Sequence, residues 1–173
     1  MVKKQVKKSL EVIGSTVVVD IDDIKNVPAK VDTGADTSSI WASQINITED
    51  DVLEFTLFGK SSPFYTGEII KRTDYKVAVV RSATGEEQVR YRTHLPLRLK
   101  GRKINVLFNL SNRSRNNAPI LIGKRTIRGK FIVDVSKHAV KLPKNPRTKG
   151  LNRELKKNPR EFHQKYYKKG AKS

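Results

Sequence analysis

Between Ala29 and Ala42 the chain reads AKVDTGADTSSIWA, so a carboxylate, a hydroxyl and a glycine, Asp32, Thr33 and Gly34, follow directly on an apolar run. That order suits a carboxylate held rigidly at the floor of a cleft. Gly34 lets the backbone turn sharply and bring its amide toward the carboxylate. Thr33 can stiffen the loop by hydrogen bonding to neighbouring main chain, and Ala35 leaves room beside it. Two such carboxylates about 3 Å apart cannot both ionise, so they share one proton. One then acts as base toward a water while the other acts as acid toward a peptide carbonyl. An isolated Asp-Thr-Gly is more often a turn closing a strand, and the elements around it decide between the two readings.

Those elements read as strands. STVVVDI (Ser15–Ile21), AKV (Ala29–Val31), SSIWA (Ser38–Ala42), VLEFTLF (Val52–Phe58) and YKVAVV (Tyr75–Val80) are short, rich in branched and aromatic residues, and punctuated by Gly, Pro, Asn and Asp. After Thr84-Gly85, a hairpin turn signal, come EQVRYRT, RKINVLFNL, APILIG and GKFIVDV. Helical periodicity is confined to one or two turns in GKRTIRG (Gly123–Gly129). The spacing predicts an all-β domain with one short helix. Either the Thr84-Gly85 hairpin or the stretch GKSSPFYTGE (Gly59–Glu68) could serve as a flap over a bound substrate.

VDTGADTSSIWA resembles the active-site loop of retropepsin-like aspartic proteases, and APILIGKRTIRGKFIVDVSK (Ala118–Lys137) resembles their second signature, aliphatics and a glycine before a short helix. The pair is most similar to the retropepsin-like group associated with the RimK glutamate ligases, which has carried the label "ATP-dependent zinc protease". The resemblance covers roughly Glu11 to Lys141 and implies a closed barrel of the acid-protease fold. It implies Asp32 as the catalytic residue and Thr33, Gly34 and Ala35 as its loop. Ile120, Leu121, Ile122 and Gly123 would then be the segment that supports the loop from beneath. The chain holds a single Asp-Thr-Gly, so the resemblance further implies a homodimer in which each subunit lends one Asp32. Many members of the nearer group have a histidine where Trp41 stands here, a departure that argues against a histidine or metal role at that position.

Composition limits the rest. A chain of 173 residues with no cysteine has one core and no thiol or disulfide chemistry. His94, His138 and His163 lack the spacing of a zinc site, so neither a metal nor a cofactor is expected. IGKRT (Ile122–Thr126) is not a phosphate-binding loop, because Ala118 stands at the first glycine position and Arg125 follows the lysine. Asp20, Asp22 and Asp23 read as turn residues. With neither a secretory signal pattern nor an apolar run of about 18 residues, a cytoplasmic location and no membrane partner are expected. The net charge of +19 is uneven, since Lys141–Ser173 carries 12 Lys or Arg against two acids. The expected organisation is a basic segment over 1–9, a retropepsin-like domain over 10–142 and a basic tail over 143–173, read as disordered, in which GLNRELKKNPREFHQKYYKKGAKS could form a short helix on a partner and which could contact RNA or another polyanion. The expected function is an aspartic endopeptidase acting on peptide or protein substrates. The alternative is an inactive peptide-binding or RimK-associated accessory protein.

Overall fold

The computed structural model describes residues 9–81, 87–143 and 146–166. The chain divides into two compact units, Met1–Leu142 and Pro143–Ser173. The first is mostly β. Its strands are β1 (Glu11–Ile21), β2 (Ile24–Val31), β3 (Ser38–Ile47), β4 (Leu53–Leu57), β5 (Ile69–Arg72), β6 (Lys76–Arg81), β7 (Glu87–Leu99), β8 (Arg102–Ser111), β9 (Ile120–Ile122) and β10 (Phe131–His138), with helix α1 (Lys124–Ile127) between the last two.

The main path of the sheet runs β10-β1-β2-β9-β3-β8-β7-β6, with β4 and β5 branching from β3. A further pairing of β1 with β7 at Asp20–Ile21 brings the path back to β1. Period-two patterning explains which side chains go inward: Leu95, Leu97 and Leu99 of β7 are buried while Pro96 and Arg98 between them are exposed. Val27, Ala29 and Val31 do the same on β2, and Ile40, Phe55, Phe108, Ile120 and Ile122 complete the centre of the core. Lys100 and Gly101, both at positive φ, form the two-residue turn that joins β7 to β8 with Leu99 opposite Arg102.

Besides β5, which no sequence segment marked, two regions differ from the sequence expectation. The AKV segment is the end of a longer β2 that runs through Pro28, which pairs with Val18 of β1. Proline is accommodated there because β9 flanks β2 only at Ala29–Val31, so at Pro28 the other side of the strand has no partner needing an N–H. The tail, expected to be disordered, instead contains α2 (Pro146–Lys157) and α3 (Pro159–Tyr166). Local chemistry accounts for them. The Asn158 side chain accepts from the Glu161 backbone N–H at 3.1 Å and donates to the Glu161 carboxylate at 3.1 Å, capping α3. Glu154 of α2 accepts from Lys165 at 2.6 Å and from the Tyr166 hydroxyl at 2.9 Å. Among the described residues no helix is long and apolar enough to cross a membrane.

Candidate active site

β9 lies between β2 and β3, parallel to β2 with Val31 opposite Ile122, and antiparallel to β3 with Ile40 opposite Ile120. The loop joining β2 to β3, residues 32–37, must therefore cross the end of β9. That crossing holds Asp32. Its backbone N–H donates to the Ile122 carbonyl at 2.9 Å, continuing the β2–β9 ladder by one residue. The Gly34 N–H donates to Asp32 Oδ1 at 3.0 Å, so the carboxylate is turned inward over its own loop. Ala35 closes the turn by donating to the Asp32 carbonyl at 3.3 Å. The carboxylate is half-buried, while Thr33 and Gly34 are exposed.

The underside of the loop is fixed by the segment that follows β9. Lys124 N–H donates to the Ala35 carbonyl at 2.8 Å and Arg125 N–H to the Asp36 carbonyl at 3.1 Å. Gly123 passes so close that a β-carbon there would lie 2.7 Å from the Thr37 carbonyl carbon and 2.9 Å from the Ala35 oxygen. The structure thus brings Asp32–Ala35 together with Ile120–Gly123. Ile120 and Ile122 are fully buried, and Leu121 between them is half-buried.

Sequence reasoning missed three contributors. Ser38 Oγ accepts from the Gly123 N–H at 3.0 Å and shares a hydrogen bond with Thr126 Oγ1 at 2.8 Å, both hydroxyls being buried. Ser38→Ala would leave the Gly123 N–H and the Thr126 hydroxyl without their partner, at a cost of about 1–3 kcal/mol. A melting temperature lower by about 2–4 °C per kcal/mol is expected in differential scanning calorimetry. Lys124 pairs with Asp36 at 2.9 Å across the exposed rim of the loop. That hydrogen bond and the lysine's charge hold the Asp36 carboxyl below the usual carboxylate range. Because its value is lower folded than unfolded, this contact favours the folded state above the ordinary carboxylate range, and the contribution is lost as pH falls through the folded value. In a carbon-detected NMR titration, Lys124→Gln is expected to raise the Asp36 midpoint.

Arg113, the third, donates from Nε to the Ala118 carbonyl at 3.1 Å. Burial and the neighbouring Arg90 hold its guanidinium below the usual arginine range, while the charge of Asp32 works in the opposite direction. Arg113 therefore stands within electrostatic reach of both Asp32 and β7. On the β6–β7 hairpin, Lys76 and Ala78 lie opposite Arg92 and Arg90, which gives one face of the hairpin a basic character. Arg92 donates to the buried Asn109 side chain at 2.5 Å. No spacing rule in the sequence links Arg90, Arg113 and Asp32.

The two flap candidates separate in space. Phe64 and Tyr65 of the Gly59–Glu68 stretch line a cleft with Asp22 and Ile24 at the start of β2. β2 is eight residues long, so at about 3.3 Å per residue that cleft stands roughly 25 Å from Asp32 along the strand. The tip of the other hairpin, Thr84-Gly85, lies outside the described residues. Trp41 packs against Gly59, where a β-carbon would lie 2.8 Å from its ring. Among the described residues no three His, Cys, Asp or Glu side chains converge as a ligand set.

A mostly β chain whose Asp-Thr-Gly loop is seated on an aliphatic-glycine strand has the design of the retropepsin-like class. Residues 12–144 match the RimB-like family, described as "Retropepsin-like aspartic endopeptidase RimB", and the chain belongs to that family. Among curated proteins it is 26% identical over 114 residues to a "Probable alpha-L-glutamate ligase" of Desulfotalea psychrophila (strain LSv54 / DSM 12343), covering 64% of this chain. The matched region spans 25% of that relative's length. Among solved structures, a Legionella pneumophila (strain Philadelphia 1) protein of unknown function shares the fold with a TM-score of 0.55 and 24% identity, over 75% of this chain and 97% of that one. A foamy viral protease-reverse transcriptase in complex with an RNA/DNA hybrid aligns at a TM-score of 0.44 and 15% identity, over 81% of this chain and 14% of that one.

Proposed function

We propose that the protein is an aspartic endopeptidase whose dyad is formed by Asp32 and the partner's Asp32 across a two-fold axis. The observation that carries this reading is the seating of the Asp32 loop on Ile122, Gly123 and Lys124, which holds one carboxylate rigidly and inward. One chain supplies half of the acid–base pair that hydrolysis needs. In this reading the strand path closed by β1 and β7 is the acid-protease barrel, residues 10–142 are the peptidase domain, and residues 1–9 and 143–173 are basic flanks. The β6–β7 hairpin is the flap, and Thr33 to Ala35 line the floor. Arg113, whose charge lies within reach of both Asp32 and Arg90, favours substrates with carboxylate side chains, which accords with a curated relative named as a glutamate ligase.

If two subunits build the site, specific activity rises with protein concentration and follows the dimer fraction measured by sedimentation. Glutamate-rich peptides are expected to be cleaved in preference to lysine-rich ones. Activity independent of concentration, carried by a sedimenting monomer, would overturn the shared dyad.

A second reading rests on the same curated relative, in which the matching region is one quarter of a protein named as a ligase. Two functions joined in one polypeptide favour physical association when they stand on separate chains. The protein would then be a peptide-binding accessory of a RimK-type ligase. Failure to cleave any peptide, with retained affinity for glutamate-rich ones, would favour that role.

A further inference from the structure

Four of the five basic residues of α2 share one face. Lys149, Arg153, Lys156 and Lys157 stand at i, i+4, i+7 and i+8 and are all exposed, so they form one stripe along the helix. Leu151, Glu154 and Leu155 fall on the opposite side. The second unit holds few acids, and the helices use both that it has. Glu154 is bound by Lys165 and Tyr166, which hold its carboxyl below the usual range, and Glu161 is bound by the capping Asn158. Among the described residues no ion pair engages the four cations of the stripe.

We propose that this stripe binds the phosphate backbone of a nucleic acid. Four cations over eight residues of helical rise occupy about 12 Å of axis, close to one per 3–4 Å. A nucleic-acid strand places its phosphates about 3.4 Å apart along a duplex axis. Arg153 adds a planar fork suited to phosphate oxygens. A membrane surface fits less well, because a helix lying in the interface needs an apolar face opposite its basic one. Here that face carries the Glu154 carboxylate, tied to α3. The contact reads charge and spacing, so sequence-independent binding with strong salt dependence follows.

The test uses the full chain and a labelled RNA hairpin, with DNA of the same sequence in parallel, followed by fluorescence anisotropy across a salt series. The comparison is with the variant carrying Lys149→Gln, Arg153→Gln, Lys156→Gln and Lys157→Gln, changes that keep helix propensity nearly constant. Unchanged circular dichroism shows that the variant is folded. The variant is expected to bind at least tenfold more weakly at low salt, and the slope of log affinity against log salt is expected to fall by about 3–4. Equal affinity for RNA and DNA assigns the contact to phosphate alone, and a preference for one polymer assigns it to that polymer's backbone. Undiminished binding by the variant would overturn the proposal. So would binding of polyglutamate or phosphatidylserine vesicles that is as tight as that of either nucleic acid and is lost in the same four-residue variant, which would make the stripe a surface for acidic polypeptides or membranes.

Discussion

Asp32→Asn is expected to abolish peptide-bond hydrolysis while leaving the protein folded and self-associated. The amide keeps the shape of the carboxylate and its oxygen can still accept the Gly34 N–H, so the loop retains its inward turn. It cannot take a proton from water, and the acid–base exchange stops. A shared site makes the stronger version of this expectation. When wild type and Asp32→Asn subunits are mixed in equal amounts and re-equilibrated, only dimers with two wild-type chains carry an intact dyad. Activity should then fall to about one quarter of the wild-type value at the same total concentration, against about one half for independent sites. The rate profile of the wild type should be bell-shaped in pH, because the working dyad holds one proton and both its loss and the gain of a second are inhibitory. A peptide with a hydroxyl between its two arms should inhibit by taking the place of the attacking water. The readout is product formation by mass spectrometry, with sedimentation to confirm that the mixed dimers form. Cleavage that survives the substitution would falsify the aspartic mechanism.

Gly123→Ala should have the largest effect of any change outside Asp32. The added methyl would meet the Thr37 carbonyl carbon at 2.7 Å and the Ala35 and Thr37 oxygens at 2.9 Å. All three are backbone atoms of the loop that carries Asp32, and the loop is pinned at Ala35 and Asp36 by the N–H groups of Lys124 and Arg125. Neither side can yield without breaking a hydrogen bond. Overpacking of this kind costs about 1–3 kcal/mol and occasionally more, which in a chain of this size lowers the melting temperature by roughly 2–12 °C. The remaining folded protein should be slower still, because displacing a reacting group by about 1 Å can cost about a hundredfold in rate. Gly150→Ala is the matched control. It lies in α2, where beyond its chain neighbours and its own helix backbone nothing comes within 4 Å of the new β-carbon, and there alanine should leave the melting temperature unchanged or raise it. Calorimetry of the two variants beside turnover measurements separates loop displacement from a general effect of replacing glycine.

Local signals carried much of the fold. β1, β3, β4 and β8 stand where branched and aromatic residues cluster in the sequence, and the Asp32 loop and the Ile120–Gly123 segment each carry a motif of their own. What was hidden depends on distant partners. β5 is four residues long, and of its two isoleucines only Ile70 is buried, so too little pattern accumulates for it to stand out. The extension of β2 through Pro28 depends on where β9 begins, about 90 residues later in the chain. Ser38 and Thr126 are 88 residues apart and meet only because β9 is inserted between β2 and β3. Arg113 sits in a polar stretch whose composition reads as plain loop, and its reach to Asp32 and Arg90 is a product of the assembled sheet. The two helices of the tail were hidden for a different reason: they are closed by capping and by Glu154 pairs rather than by a large apolar face.

β1 pairs in parallel with β10, placing Glu11 beside Phe131 some 120 residues apart. Pairings of such long sequence separation are slow to form, because loop-closure entropy must be overcome before any contact is gained. During synthesis at about 5–20 residues per second, roughly 6–24 s pass between the emergence of the first strand and that of the last. For that interval the β10-facing edge of β1 presents unpaired backbone donors and acceptors beside Ile13 and Val17, side chains that end fully buried. An open edge of this kind is a template for pairing with the wrong chain. The nascent protein is therefore most exposed to aggregation before Phe131–His138 emerges, and a chain that stops short of this strand keeps that edge open for good.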